Sequence, residues 1–361
     1  MLDKKEMLNS KGGQVVYETI LGDILSGKLR PSERIPSRVD LIRRFKTTPV
    51  TLQRAFDRLA EAGFIESRGR QGTFVVQHPP HRHRIGLVFR SKPERPEWRR
   101  FWTILRSVAG NMAEADDWTF DSFLEIENTG SPGRNQFAYD VENHRLAGVF
   151  HVTKATMEET PAANEIPRAV MATSDDARIE ETLSILPDMR QFIAEALNRL
   201  VSCGCRRVAL IATPGFRKTF YPIYTESLEA LNLPVERKWI QTGNLNAPSE
   251  CANLTELLFS QRGSHRPDGL LVMDDNLAPH VCDGLAQAGL MPARDVAIVS
   301  HANYPSPSVS AGVVRLGFDN GAILRSAVSY FRKCRDRGRL MTELTVIPPI
   351  FEPPTPPSAR P

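Results

Sequence analysis

At 361 residues, with 41% apolar and 24% charged residues, the chain has the length of two domains and an ordinary globular composition. No apolar run reaches the ~18–20 residues that cross a bilayer. The charged start MLDKKEMLNSKGG lacks the apolar centre of a secretory signal, and five cysteines, an odd number, do not make a disulfide framework, so a cytoplasmic protein without membrane contact is expected.

Charge divides the chain. Residues 1–80 hold 14 Lys and Arg against 9 Asp and Glu, a net +5, within a total of +4. The positive excess lies in the first quarter, which favours a polyanionic partner there. Residues 14–25 read as an amphipathic helix stopped by Gly27. After the Pro-rich turn LRPSERIPS, RVDLIRRF predicts a short helix with Leu41, Ile42 and Phe45 on its apolar side. Thr48 as N-cap and Pro49 at the first position open a third helix, which Gly63 closes. FIES and TFVV around the tip RGRQG predict a hairpin. Three helices and a hairpin make a complete domain over residues 1–78, and the prolines and histidines of QHPPHRHR mark a linker over 79–84.

From Ile85 onward, short apolar runs alternate with helical segments. The runs are RIGLVFR, LAGVFHV, RAVMATS, RRVALIAT, DGLLVMDD and DVAIVSH, with helices such as 187–202 and 278–289 between them. This alternation predicts parallel sheets covered on both faces, a doubly wound α/β fold. The length of 85–350 suits two lobes with a cleft at the strand C-termini, and 351–361 reads as a disordered tail. Cys203 and Cys205 lack the partners of a tetrahedral metal site; they read as small residues in a turn before a strand, and no metal or cofactor is expected.

The third helix puts Leu52, Ala55, Phe56 and Leu59 on its apolar face. Val50, Gln53, Arg54, Asp57 and Glu61 lie opposite, flanked by Thr51 and Arg58. A helix after a short helix and tight turn, followed by a basic hairpin, is the winged helix-turn-helix plan, whose second helix enters the DNA major groove. Thr47 and Thr48 at the helix start suit phosphate contact. Gln53 suits adenine, Arg54 guanine or phosphate, and Val50 or Thr51 a thymine methyl. Arg68, Arg70, Gln71 and Gly72 form the hairpin tip, placed for the neighbouring backbone or minor groove.

The stretch LSGKLRPSERIPSRVDLIRRFKTTPVTLQRAFDRLAEAGFIESRGRQGTFVV resembles the DNA-binding domain of the GntR family. The shared pieces are SGKL-P-ER-PS, the Thr51, Arg54-Ala55, Leu59 spacing, AGFI and GRQGTFVV. Pro49 and Gln53 stand where relatives tend to carry arginine, and Arg38 is a basic group shifted by one position. The second region resembles the effector domain of LacI/GalR regulators, itself similar to periplasmic sugar-binding proteins, on CGCRRVALIATP and PDGLLVMDDNLAPHVCDGLAQAGLMPARDVAIVS. This resemblance places Asp275 at the cleft aspartate, with Asp274 in place of the usual asparagine. The cleft arginine falls near Phe220, with Arg217 the nearest substitute, and Ser300-His301-Ala302 replaces Gly-Phe-Asp.

Strand-end loops add Ser91, Trp98, Trp102 and Asn303 to Arg217, Asp275 and His301 as effector-binding candidates. The resemblance implies a repressor that binds a palindromic, double-stranded operator as a homodimer and responds to a sugar or related metabolite. The alternative is a DNA-binding head fused to an α/β enzyme, yet no G-x-S-x-G elbow, Walker loop or H-E-x-x-H motif is present. No catalytic residue is expected.

Overall fold

The computed structural model describes residues 4–115, 117–160, 166–173, 178–261, 263–307 and 311–352. The N-terminal domain consists of α1 (Lys4–Leu25), α2 (Arg38–Phe45), α3 (Pro49–Glu61), β1 (Ile65–Ser67) and β2 (Thr73–Val75). Helix α1 starts earlier than the apolar pattern of 14–25 predicts. The apolar faces of α1, α2 and α3 close over Val16, Ile20, Leu41, Leu52, Phe56 and Leu59, with Phe64 beneath the hairpin. Ser37 caps α2, and Lys46 ends it in the left-handed region at φ 48°, which turns the chain into α3.

A one-turn helix, α4 (Pro80–His83), fills the joint expected over 79–84. The joint packs on the N-terminal domain: the His81 ring lies 5.7 Å from the Phe64 ring. Tyr17 on α1 donates its hydroxyl hydrogen to Asn143 Oδ1 of the following domain at 3.2 Å.

The first lobe contains β3 (Arg84–Val88), α5 (Arg100–Ala115), β4 (Thr119–Phe123), α6 (Pro132–Glu142), β5 (Gly148–His151), α7 (Lys154–Glu158), β6 (Arg168–Met171) and β7 (Thr182–Pro187). The second contains α8 (Met189–Ser202), β8 (Val208–Ala212), α9 (Pro214–Ala230), β9 (Ile240–Thr242), α10 (Glu250–Phe259), β10 (Gly269–Val272), α11 (Ala278–Gln287), β11 (Ala297–Tyr304) and β12 (Val313–Asp319). Then α12 (Asn320–Arg337) leads to β13 (Glu343–Ile347) and β14 (Ile350–Phe351). The sheet orders are β13-β7-β6-β5-β3-β4 and β14-β12-β11-β10-β8-β9. Within these two sheets, among the described residues, every strand pair is parallel except β12 with β14.

In each sheet one strand sits between the next two of its lobe: β3 between β4 and β5, β8 between β9 and β10. Successive crossovers leave such a strand in opposite directions, which opens a crevice at its C-terminal end. The two lobes are thus one plan used twice. The chain passes from the first lobe to the second after β7, and β13 and β14 then add one strand to each sheet.

The six apolar runs read from sequence fall on β3, β5, β6, β8, β10 and β11. Strand β12 escaped because Arg315 interrupts its apolar run. Arg315 is only 8% exposed and is satisfied by Glu352 at 2.6 Å and by Ser306. That pair also corrects the tail: Phe351 is in β14 and Glu352 is paired, while 353–361 lie outside the described residues. Cys203 ends α8 and Cys205 is buried in the turn before β8.

Candidate nucleic-acid interface and inter-lobe cleft

Helix α3 begins as its sequence dictates. The Thr48 hydroxyl accepts from Thr51 N at 3.2 Å, and Leu52 N donates to Thr48 O at 3.0 Å. Proline has no N–H, so Val50 carries the remaining backbone donor of the first turn. Val50 is 63% exposed, and Thr48 and Arg54 are exposed beside it while Thr47 is half-buried.

Two expected readers are occupied within the protein. Thr51 is buried, its methyl group turned toward Gly12 and Gly13 of α1, so it is a packing residue and not a base reader. Gln53 accepts from Arg38 Nη1 and donates to Asp57 Oδ1. Both ends of its amide are engaged, so an adenine contact requires these bonds to break. Arg38 also lies over the Phe56 ring at 5.4 Å, which holds its guanidinium at the rim of the helix.

The hairpin turns at Gly69 and Gly72. Gly72 has φ 112°, a conformation that side chains rarely adopt, and a Cβ there would stand 2.9 Å from Arg34 Nε. Residues 32–35 run alongside β2, with Ile35 N bonded to Thr73 O at 2.9 Å, so the basic tip rests on a third chain segment. Arg68 is held by Glu66 at 2.6 Å and covers the Phe74 ring. Its charge is largely answered inside the protein. Arg70 and Gln71 are exposed at the tip.

In the second region, a cavity of about 870 Å³ opens at the C-terminal ends of β3, β4 and β5. Ser91, Trp102, Glu125, Asn128 and Thr153 are among its lining residues, so the crevice lies where the strand order reverses. Trp102 is 8% exposed and packs edge-on against Trp98 and Phe89, with Trp98 tied through its Nε1 to Thr103. Trp102 is therefore both core and cavity wall, whereas Trp98 braces it.

The start of α5 bridges to the second lobe. Arg99 donates to Asn246 Oδ1 and to Pro96 O, both at 3.0 Å. The Arg100 backbone N–H donates to Asn276 Oδ1 at 3.1 Å, and its guanidinium lies 3.7 Å from Asp275. Asp275 also accepts from Asn303 Nδ2 at 3.1 Å, so the two expected cleft residues meet. Burial raises the carboxyl of neighbouring Asp274 above its usual range, opposed by a hydrogen bond from Asn276.

His301 does not join the pair: it is half-buried between Phe192 and Phe318, each ring 5.7 Å away. Arg217 lies on α9, and its side chain is outside the described residues. Sequence reasoning missed Arg99, Arg100, Asn246 and Asn276. Only the spatial meeting of the two lobes singles them out.

Residues 13–75 match the gntR family of bacterial regulatory proteins, and residues 197–317 match the periplasmic binding protein-like domain. The HTH-type transcriptional regulator Rv1152 of Mycobacterium tuberculosis is 33% identical over 74 residues, and the chain spans 61% of that relative's length and 19% of its own. A LacI-family regulatory protein from Chloroflexus aggregans shares 15% identity at a TM-score of 0.59, over 74% of this chain and 96% of that one. A LacI-family transcriptional regulator from Arthrobacter sp. FB24 in complex with lactose shares 14% identity at a TM-score of 0.58, over 75% and 98%. At these identities the likeness to the solved structures concerns the fold.

Proposed function

We propose that this chain, a GntR-type winged helix-turn-helix domain joined to a periplasmic-binding-protein-like domain of LacI-type fold, is a ligand-responsive transcription regulator. It binds a palindromic operator as a dimer, acts as a repressor, and takes a sugar or related metabolite into the inter-lobe cleft. It performs no catalysis. The lactose bound by the Arthrobacter relative supports the sugar class.

The observation that carries the reading is a continuous path from cavity to reading head. The cavity wall at Glu125 leads into α6, whose N-cap Ser131 donates its hydroxyl hydrogen to Glu125 O at 2.9 Å. Arg134 on α6 donates to Ile126 O at 2.7 Å. At the far end of α6, Asn143 accepts from Tyr17, and Tyr17 packs under the Arg58 guanidinium of α3 at 4.1 Å. A ligand that shifts the 125–131 loop moves α6 as a rigid rod of about 16 Å, and with it the seat of the DNA-binding domain. Such a ligand regulates only if its affinity differs between the two seats.

The test is competitive binding of the full chain to promoter DNA and to random duplex, with and without ligand, in wild type and Asp275→Ala. Asp275→Ala is expected to keep promoter binding and lose the ligand response. Equal competition by random DNA sinks the operator; a normal ligand response in Asp275→Ala sinks the cleft.

A further inference from the structure

The charges around the cavity are not answered evenly. Arg90 pairs with Glu127 at 2.6 Å and Glu159 at 3.4 Å, and Lys92 pairs with Glu125 at 3.0 Å. Arg100 has Asp275 at 3.7 Å. Two lining arginines have no carboxylate within ion-pair distance among the described residues: Arg95, which is exposed, and Arg99, which is half-buried with the Pro96 carbonyl and the neutral Asn246 amide as its contacts. Burial lowers the Arg99 pKa, while Asp274 and Glu97 oppose this from farther away. A half-buried guanidinium whose hydrogen-bond partners are neutral has lost water without a counter-charge in direct contact, which costs free energy that a paired anion would recover.

Arg99 lines the same cavity as the Trp102 wall, and the buried Ser91 lies on that wall too. An apolar ring face and a hydroxyl suit a polyol, and a fixed guanidinium fork suits a carboxylate or phosphate. From this arrangement we infer that the effector is an acidic sugar derivative, whose carboxylate or phosphate pairs with Arg99 at the edge where the lobes meet. This rests on the cleft being the effector site. Because Arg99 already reaches Asn246 of the second lobe, the anion neutralises the residue that bridges the lobes, which ties ligand charge to lobe closure.

The test is calorimetric titration of the full chain with matched series: glucose, galactose and mannose, their uronates, their 6-phosphates, and inorganic phosphate alone. An acidic member should bind roughly ten- to a hundredfold tighter than its neutral parent, the range expected of a charge-assisted hydrogen bond. Whether the uronate or the phosphate gains identifies the anion. Arg99→Gln should remove the preference and Arg99→Lys should keep part of it, with unliganded melting curves reporting that both variants fold. Neutral sugars binding as tightly as acidic ones, with Arg99→Gln without effect, overturns the acidic effector and leaves the cleft as the effector site. Inorganic phosphate binding as tightly as the best acidic sugar overturns it too, since the site then holds an ion and not a sugar acid. If no member binds, the acidic effector and the sugar-binding cleft both fall.

Discussion

The winged-helix domain and the two-lobed domain build function in opposite ways. In the first, a small apolar core around Leu52, Leu59 and Phe64 holds up a helix whose candidate readers lie close together in sequence. In the second, the cleft residues come from strand ends: Ser91 after β3, Asn246 after β9, Asp275 after β10 and Asn303 on β11. The helix repeats its geometry every few residues, so local sequence is enough to place its faces. A crevice between parallel strands depends on how crossovers bring distant segments together. The two regions should therefore fail differently when altered.

The largest expected effect is on folding of the smaller region. Leu59 is fully buried, and Leu59→Ala should cost about 2–5 kcal/mol, enough to unfold a domain with so few core residues. Calorimetry should show the winged-helix transition moving down while the two-lobed domain melts as before. A common shift of both would mean that the joint makes them one cooperative unit.

The joint gives the next effect. Burial against Phe64, with Arg82, His83, His144 and Arg335 nearby, pushes the His81 pKa down to about 4. The unfolded chain takes up this proton below about 6.5 and the folded chain only below about 4. Stability is therefore full above pH 6.5 and falls as pH drops toward 4, by on the order of 3 kcal/mol in the limit. His81→Gln should flatten that part of the pH–stability curve measured in urea. An unchanged slope would place the acid sensitivity at His151, buried inside the first lobe with its pKa lowered to about 3.

On the DNA side the expected change is smaller. With Arg68 tied to Glu66, the exposed Arg70 should carry phosphate contact. Arg70→Ala should weaken binding evenly across sequences and reduce the salt slope by about 1. Arg68→Ala should change the slope less, because its charge is already answered. The reverse order would show that the Arg68–Glu66 pair opens on DNA.

Much of this was legible from the chain. The winged-helix plan and the α/β alternation rest on contiguous motifs, and the structure has both; Asp275 was singled out by a contiguous motif too, and it lies after β10, paired with Asn303. Thr51 was misplaced because a helical wheel gives the flank of a face but not what packs there; α1 covers it. Gln53 looked available because its partner Arg38 lies on another helix. Arg99 and Arg100 were invisible for a related reason: a pair of arginines opening a helix is ordinary until the second lobe arrives beside it.

On the proposed reading, occupancy of the cleft reaches the reading head through α6 and the Tyr17–Asn143 contact. The most direct test of this path is fluorescence anisotropy of labelled promoter DNA titrated with the full chain, with and without saturating cleft ligand, in wild type and Tyr17→Phe. Removing the hydroxyl leaves both binding sites in place, so each separate affinity should stay within about twofold. The ligand-induced change in DNA affinity, a coupling of typically 5–150-fold in such systems, should fall toward one. A Tyr17→Phe chain that responds to ligand as fully as wild type would show that the signal does not pass through this contact.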